Sequence, residues 1–562
     1  MTLLSFMPVA FPATIGPLAT LSVAVGLLGM LASFAATYPK LSASYLVVCV
    51  VASFLGGPQR AVPLFDPALY AQHPAYATLD GLYQWLNARG DLDAYRKARH
   101  PYPVIISSAE GGGMYAAAHA YLALSAMQGV CPNFAQHLFA SVGVSGGSIG
   151  QLLFSASLDA NKENTVLKPC HRRTVSIPTA PVTTDLLSPV FANLLIVGTA
   201  DFLIPGRQVF TDSGTALTDA VLTTLPGNEF LSAPLRASWS PKENRPVLVF
   251  VSTNVNDGNR FVFSALDNLG AETAESFPSG NIVSARDIGT ATAAVISARF
   301  PWVTDSARLQ VSDNSFRVLA DGGYYENSGA DTALEIVQQI RGLAAQTQTA
   351  GCTYQVTGGD ACKCQLYVLT KFDTPVDWQG CNSYIFLAYV PIAGLVENKP
   401  GYVYGDTPDP SQSLIADPLS TMLAARSARG VIALARAEAY FGGFDDPTFA
   451  GGNDADSGYF ENALPADALR LPLGWKLSQT AVDDMLNLAA PTEACEVPTN
   501  TGVPISKVGT TETETVPSDD SGLPIDPDLK QVARHDNGCS MATLAWLFDP
   551  AHHPGQYAIV GW

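Results

Sequence analysis

The stretch Leu138-Phe139-Ala140-Ser141-Val142-Gly143-Val144-Ser145-Gly146-Gly147-Ser148-Ile149-Gly150 decides the fold. Leu138 to Val142 is a short apolar run of the kind that forms a buried strand. Ser148 to Leu158 reads as a helix, so Gly143-Val144-Ser145-Gly146-Gly147 falls on a strand-to-helix turn. This is the G-x-S-x-G pattern of a nucleophile elbow, in which glycines flank a serine because the sharp turn leaves no room for Cβ atoms. The pattern alone is weak, since roughly 0.3 chance matches are expected at ordinary glycine and serine usage. Its position between a β run and a helix is what the mechanism requires. Gly146-Gly147-Ser148-Ile149-Gly150 overlaps it as a second match, and Ser145 is chosen because Ser148 would already lie on the first helical turn.

The texture around this stretch is that of βα units on a parallel sheet, beginning near Pro101. Val104 to Ser108 reads as a strand running into Glu110-Gly111-Gly112-Gly113, and Met114 to Gln128 as an Ala- and Leu-rich helix ended by Gly129. The backbone N–H groups of Gly111, Gly112 and Gly113 open that helix and can face a negative centre, which outlines an oxyanion hole. A plain tight turn is the alternative. No G-K-[ST] follows, which disfavours a nucleotide phosphate loop. Arg317 to Ala320 is a later strand that stops at Asp321-Gly322-Gly323. In open α/β sheets functional groups gather at the carboxyl ends of strands, so these three turns are expected to converge.

Composition sets the class. The 562 residues carry 31 Lys+Arg against 50 Asp+Glu, a net charge of -19. Binding nucleic acid needs a basic stripe, so no nucleic-acid partner is expected. The 47% hydrophobic content excludes general disorder. Lys40 and Arg60 are the only charged residues among the first 60, and Leu18 to Thr37 is long enough to cross a bilayer. Leu41 to Gly57 is a second crossing or an interfacial arm, with two crossings the expectation. The chain lacks a positive n-region and a small-residue cleavage site, so the segment is expected to stay attached.

Eight cysteines lie outside the apolar segment: Cys131, Cys170, Cys352, Cys362, Cys364, Cys381, Cys495 and Cys539. They allow four disulfides and favour an oxidising compartment such as a periplasm; free thiols are the alternative. Cys352, Cys362, Cys364 and Cys381 could make a zinc site, although C-x-C is not the usual knuckle spacing.

Three motifs together, Glu110-Gly111-Gly112-Gly113, Gly143-Val144-Ser145-Gly146-Gly147 and Asp321-Gly322-Gly323, resemble the patatin-like phospholipase family in order and rough spacing. Ala298-Arg299-Phe300-Pro301 looks like that family's segment upstream of its aspartate, and Trp475 to Ser478 is similar to a feature of bacterial members with membrane-embedded N-termini. The resemblance covers residues 101 to 335 well and 365 to 485 loosely. It implies a three-layer α/β sandwich with a mainly parallel sheet, attached to N-terminal transmembrane helices in a bacterial inner membrane. It further implies a serine lipid acyl hydrolase with Ser145 as nucleophile, Asp321 as base and Gly111 to Gly113 as oxyanion hole. No metal or cofactor is implied; the expected partners are a lipid substrate and the bilayer. In the family motif D-G-G-G-x-R-G, Glu110 here replaces the Asp, Tyr115 the Arg and Ala116 the last Gly, which puts phosphate-bearing substrates in doubt.

Two rivals are an α/β-hydrolase triad through His535, His552 or His553, and a lipid-binding protein without activity. The expected organisation is a membrane segment at 1–60, a connector at 61–99, a hydrolase domain at 100–490 and an acidic tail at 491–562. Within the domain, 160–245 is read as an insertion whose apolar run Leu186 to Ile204 is an ordinary buried helix. Arg426, Arg429 and Arg436, on the predicted helix Leu419 to Phe441, are read as a solvated face. Thr499 to Asp528 is read as a flexible acidic loop.

Overall fold

The computed structural model describes residues 8–55, 61–65, 76–98, 101–159, 176–204, 212–267, 286–300, 303–312, 314–350, 366–369, 383–393, 416–442, 458–464 and 477–491, with shorter pieces elsewhere. Thr499 to Asp528, His535, His552 and His553 lie outside the described residues.

The fold is α/β with a mixed, mostly parallel central sheet of ten strands. Its middle comprises β1 (Tyr102–Ala109), β2 (Leu138–Val144), β3 (Val247–Asn254), β8 (Leu366–Leu369) and β9 (Ser383–Ala393), in the order β3-β2-β1-β9-β8, all parallel. β1, β2 and β3 are buried along their whole length, which is why they read as continuous apolar runs and not as alternating ones. Alternate residues feed two cores. Ile105 packs into one with the helices α3 (Gly113–Val130), α4 (Gly146–Ser157) and α5 (Thr290–Ser297), while Val104 and Ile106 join the other with α6 (Ala330–Ala350) and α7 (Ala416–Gly442). Helices therefore cover both faces.

The remaining strands are β4 (Arg260–Ser264), β5 (Ala274–Phe277), β6 (Ala307–Ser312) and β7 (Ser315–Asp321), with a two-residue strand, Asn462–Ala463, beside β9. The expected strand before Asp321 exists as β7, but it is antiparallel to β3 and not part of a parallel unit. It enters from beyond the carboxyl end of β3 and stops after three pairs, Leu319 with Asn254, Ala320 with Thr253 and Asp321 with Ser252. Val144 pairs with Val251 on the other side of β3. One strand thus sets the gap between the serine turn and the aspartate.

Part of the expected connector belongs to the core. Helices Thr78–Asn87 and Leu92–Ala98 bury Leu82, Trp85 and Tyr95. From the expected tail, Met541, Leu544 and Ala545 pack into the first core. Cys131 and Cys170 form a disulfide, and Cys539 is also disulfide-bonded. The side chains of the four cysteines considered for zinc lie outside those described.

Two helical stretches are long and apolar enough to cross a membrane, α1 (Pro17–Thr37) and Ala180–Leu203, while α2 (Pro39–Leu55) is a shorter apolar helix. The apolar run at Leu186 to Ile204, expected as a buried helix, is 44% buried over its most apolar window, against 11% for α1. It breaks into Leu187–Ala192, a π-turn Asn193–Val197 and Gly198–Leu203, and Ala192 and Ile196 pack on Ala24 of α1.

Candidate active site

Ser145 stands at the end of β2 with φ 53° and ψ -123°, and it is the only described residue other than glycine with a positive φ. That conformation costs about 1–3 kcal/mol and persists only where its surroundings hold it. Close packing explains the glycine on its C-terminal side: a Cβ at Gly146 would lie 2.0 Å from the carbonyl oxygen of Gly113. The glycine loop rests directly on the elbow.

The structure separates the two overlapping serines. Ser145 Oγ donates to Asp321 Oδ2 at 2.5 Å. Ser148 Oγ is fully buried and donates to Ser297 Oγ at 2.8 Å. Ser297, the last residue of α5, also accepts the Ser145 N–H at 3.0 Å and donates to the carbonyl of Val251. It ties the strained residue to the sheet.

Asp321 is fully buried. Its N–H donates to the carbonyl of Arg299 at 2.9 Å, and its carbonyl accepts from Thr253 Oγ1 at 2.9 Å, so strand end and carboxylate are both fixed. The second carboxylate oxygen, Oδ1, accepts the Gly323 N–H at 2.8 Å and lies 3.8 Å from Arg426 Nη2. A buried carboxylate needs such partners, because desolvation without them costs several kcal/mol.

The three loop glycines are not equivalent. The Gly111 N–H donates to the carbonyl of Asn327 at 2.9 Å, and the Gly111 carbonyl accepts from Asn327 Nδ2 at 3.0 Å. Gly111 is therefore committed to the fold and its N–H is not directed at a ligand. Gly112 and Gly113, at the start of α3, have no backbone acceptor of that kind among the described residues. Tyr115, in the position of the motif arginine, is buried with its ring against Gly112.

Asn327 and Arg426 went unread as site residues. Asn327 Nδ2 also donates to Glu110 Oε1 at 2.8 Å, while its Oδ1 accepts from Arg426 Nε at 3.0 Å and Nη2 at 2.6 Å. Arg426 is thus not on a solvated face: its side chain is 13% exposed and points from α7 into the site, whereas Arg429 on the same helix is exposed. No motif marks Asn327, and Arg426 comes from 105 positions beyond Asp321 in the chain (426 minus 321).

The buried histidines are engaged elsewhere. His119 Nε2 pairs with Asn462 Oδ1 at 2.8 Å, and His137 Nε2 lies 3.3 Å from Asp91. Among the described residues no three His, Cys, Asp or Glu side chains form a group able to hold a metal.

No family model matches the chain, and no curated protein matches it. Among solved structures it is similar to VipD from Legionella pneumophila, at 13% identity and a TM-score of 0.23. That alignment covers 69% of this chain, and the chain spans 65% of the length of VipD.

Proposed function

We propose that the protein is a membrane-attached serine lipid acyl hydrolase of patatin-like type. The observation that carries the reading is the hydrogen bond from Ser145 Oγ to the buried Asp321 carboxylate, made by a serine held at a strained strand-to-helix turn. A hydroxyl becomes an effective nucleophile when a base within about 2.6 to 3.2 Å takes its proton, and here the acceptor is already in place. Asp321 receives the proton as Ser145 Oγ attacks the ester carbonyl. The Gly112 and Gly113 N–H groups, with the dipole of α3 behind them, stabilise the oxyanion. Asp321 returns the proton to the leaving alcohol, and water releases the acyl group by the same steps in reverse.

Membrane attachment is supported by α1, whose apolar side chains face outward; Leu18 is 78% exposed. The apolar run near Ala180–Leu203 leans on the same helices, with Tyr45 Oη donating to the Leu203 carbonyl at 2.5 Å. A bilayer would cover this surface and supply substrate. The Cys131–Cys170 disulfide supports an oxidising compartment for the hydrolase domain.

The test is fatty-acid release by detergent-solubilised protein from mixed micelles of phospholipid and neutral lipid. Wild type and Ser148→Ala should release fatty acid, while Ser145→Ala and Asp321→Ala should release none. Absence of release by wild type, or its survival in Asp321→Ala, would overturn the reading.

A further inference from the structure

The guanidinium of Arg426 is the only cation ion-paired with Asp321 among the described residues, and it lies over the glycine loop. A Cβ built on Gly111 would be 3.1 Å from Arg426 Nη2 and 2.8 Å from Ser145 Cβ; one on Gly323 would be 2.3 Å from Arg426 Nε. The cation is therefore wedged between the glycine loop and the aspartate turn, beside the nucleophile. Its carrier, α7, is not a strand-end loop of the sheet.

Its hydrogen bonds are one-sided. Nε and Nη2 both bind Asn327 Oδ1, and Arg426 Cζ sits 5.8 Å from the centre of the Phe300 ring, within cation–π range. These contacts orient the fork and leave Nη1 with no acceptor among the described residues. An arginine fork matches the anionic oxygens of a phosphate, and the unused N–H groups of this 13% exposed side chain are the donors such a group needs.

We propose that Arg426 is a specificity-determining residue that selects esters carrying a phosphodiester next to the scissile acyl group. This rests on the hydrolase reading and adds the substrate class. It also restores, from a different element, the positive charge missing at Tyr115.

The experiment compares dihexanoyl-phosphatidylcholine with dihexanoylglycerol, which present the same acyl ester with and without the phosphodiester. A charge-assisted hydrogen bond contributes about 1.5–3 kcal/mol, so the ratio of kcat/KM values, phospholipid over diglyceride, should fall about 10- to 100-fold in Arg426→Gln. Arg426→Lys should recover part of it. A loss shared equally by both esters leaves the ratio unchanged, and that result would overturn the proposal while leaving the hydrolase reading intact. If wild type cleaves neither ester, both fall together. A measurement on wild type alone guards against a variant that does not fold. The non-hydrolysable diether phosphatidylcholine should inhibit diglyceride turnover at concentrations at least about tenfold below the matching diether glycerol. Equal inhibition by the two would overturn the proposal.

Discussion

Replacing Ser297 by Ala tests whether the elbow is held from outside or holds itself. The hydroxyl is fully buried and serves three groups: it accepts from the Ser145 N–H and from Ser148 Oγ, and donates to the Val251 carbonyl. Its removal orphans two buried donors and deprives a carbonyl of one of its bonds. At about 1–3 kcal/mol for each orphaned donor, a loss of about 2–6 kcal/mol in stability is expected. Ser145 also loses the contact that fixes its N–H while its φ stays at 53°, a conformation costing about 1–3 kcal/mol. The elbow relaxes, Ser145 Oγ moves off Asp321 Oδ2, and kcat/KM for a soluble ester should fall about 100-fold, since a displacement near 1 Å has that effect. Ser148→Ala is the control, because it removes only the bond to Ser297 and should cost about 1 kcal/mol. The assay pairs the labelling rate of Ser145 by a fluorophosphonate with thermal midpoints of both variants and of the double variant. The double variant should fall short of additivity by about 0.5–1.5 kcal/mol, the energy of the shared bond. If Ser297→Ala matches Ser148→Ala in labelling rate and midpoint, the brace is not what holds the elbow and the reasoning fails.

Gly146→Ala forces a Cβ to within 2.0 Å of the Gly113 carbonyl oxygen, so it should yield protein that is protease-sensitive and unreactive to fluorophosphonate; normal labelling would contradict the packing argument. Cys131 and Cys170 are 39 positions apart, and in the chain-entropy account their bond contributes about 4 kcal/mol, so Cys131→Ser should lower the thermal midpoint and shrink its further drop on adding reductant, the remainder coming from the bond at Cys539; an unchanged midpoint would contradict this. The pH dependence of stability holds two opposed contributions. Burial lowers His119 from 6.5 to about 4, which makes stability rise with pH across that window, because the unfolded chain binds the proton first. Burial raises Glu326 from 4.5 to about 7, despite the bonds it accepts from Ser328, which makes stability fall from 4.5 to 7. In Glu326→Gln the slope of unfolding free energy between pH 4.5 and 6.5 should therefore become more positive by about 1.4 kcal/mol per pH unit; an unchanged slope in denaturant titrations would rule this out.

What the sequence discloses follows from where the constraint lies. Ser145, Gly146 and the strand-helix junctions around them are legible because local backbone geometry dictates residue type: a sharp turn under a close-packed loop admits glycine and little else. Asp321 is legible through its glycines, yet the direction of its strand is not. Arg317 to Ala320 reads equally well as a parallel or an antiparallel strand, and only the pairing of Leu319 with Asn254 fixes it. The brace and the clamp leave no local trace. Ser297 bonds a residue 152 positions away, and Asn327 reaches Glu110 across 217, so each satisfies groups whose need is created elsewhere in the chain. The glycine loop shows the consequence. Three consecutive glycines announce that backbone N–H groups are available, but not which of them face a ligand, because Asn327 decides that by taking the N–H of Gly111. The same asparagine accepts from Arg426 through its side chain, so one residue outside every motif fixes both the glycine loop and the cation beside it. Asn327→Ala keeps the backbone carbonyl that takes the Gly111 N–H but removes the amide that holds the Gly111 carbonyl and the acceptor that orients the guanidinium, so it should weaken ester turnover more than the loss of either side-chain bond alone.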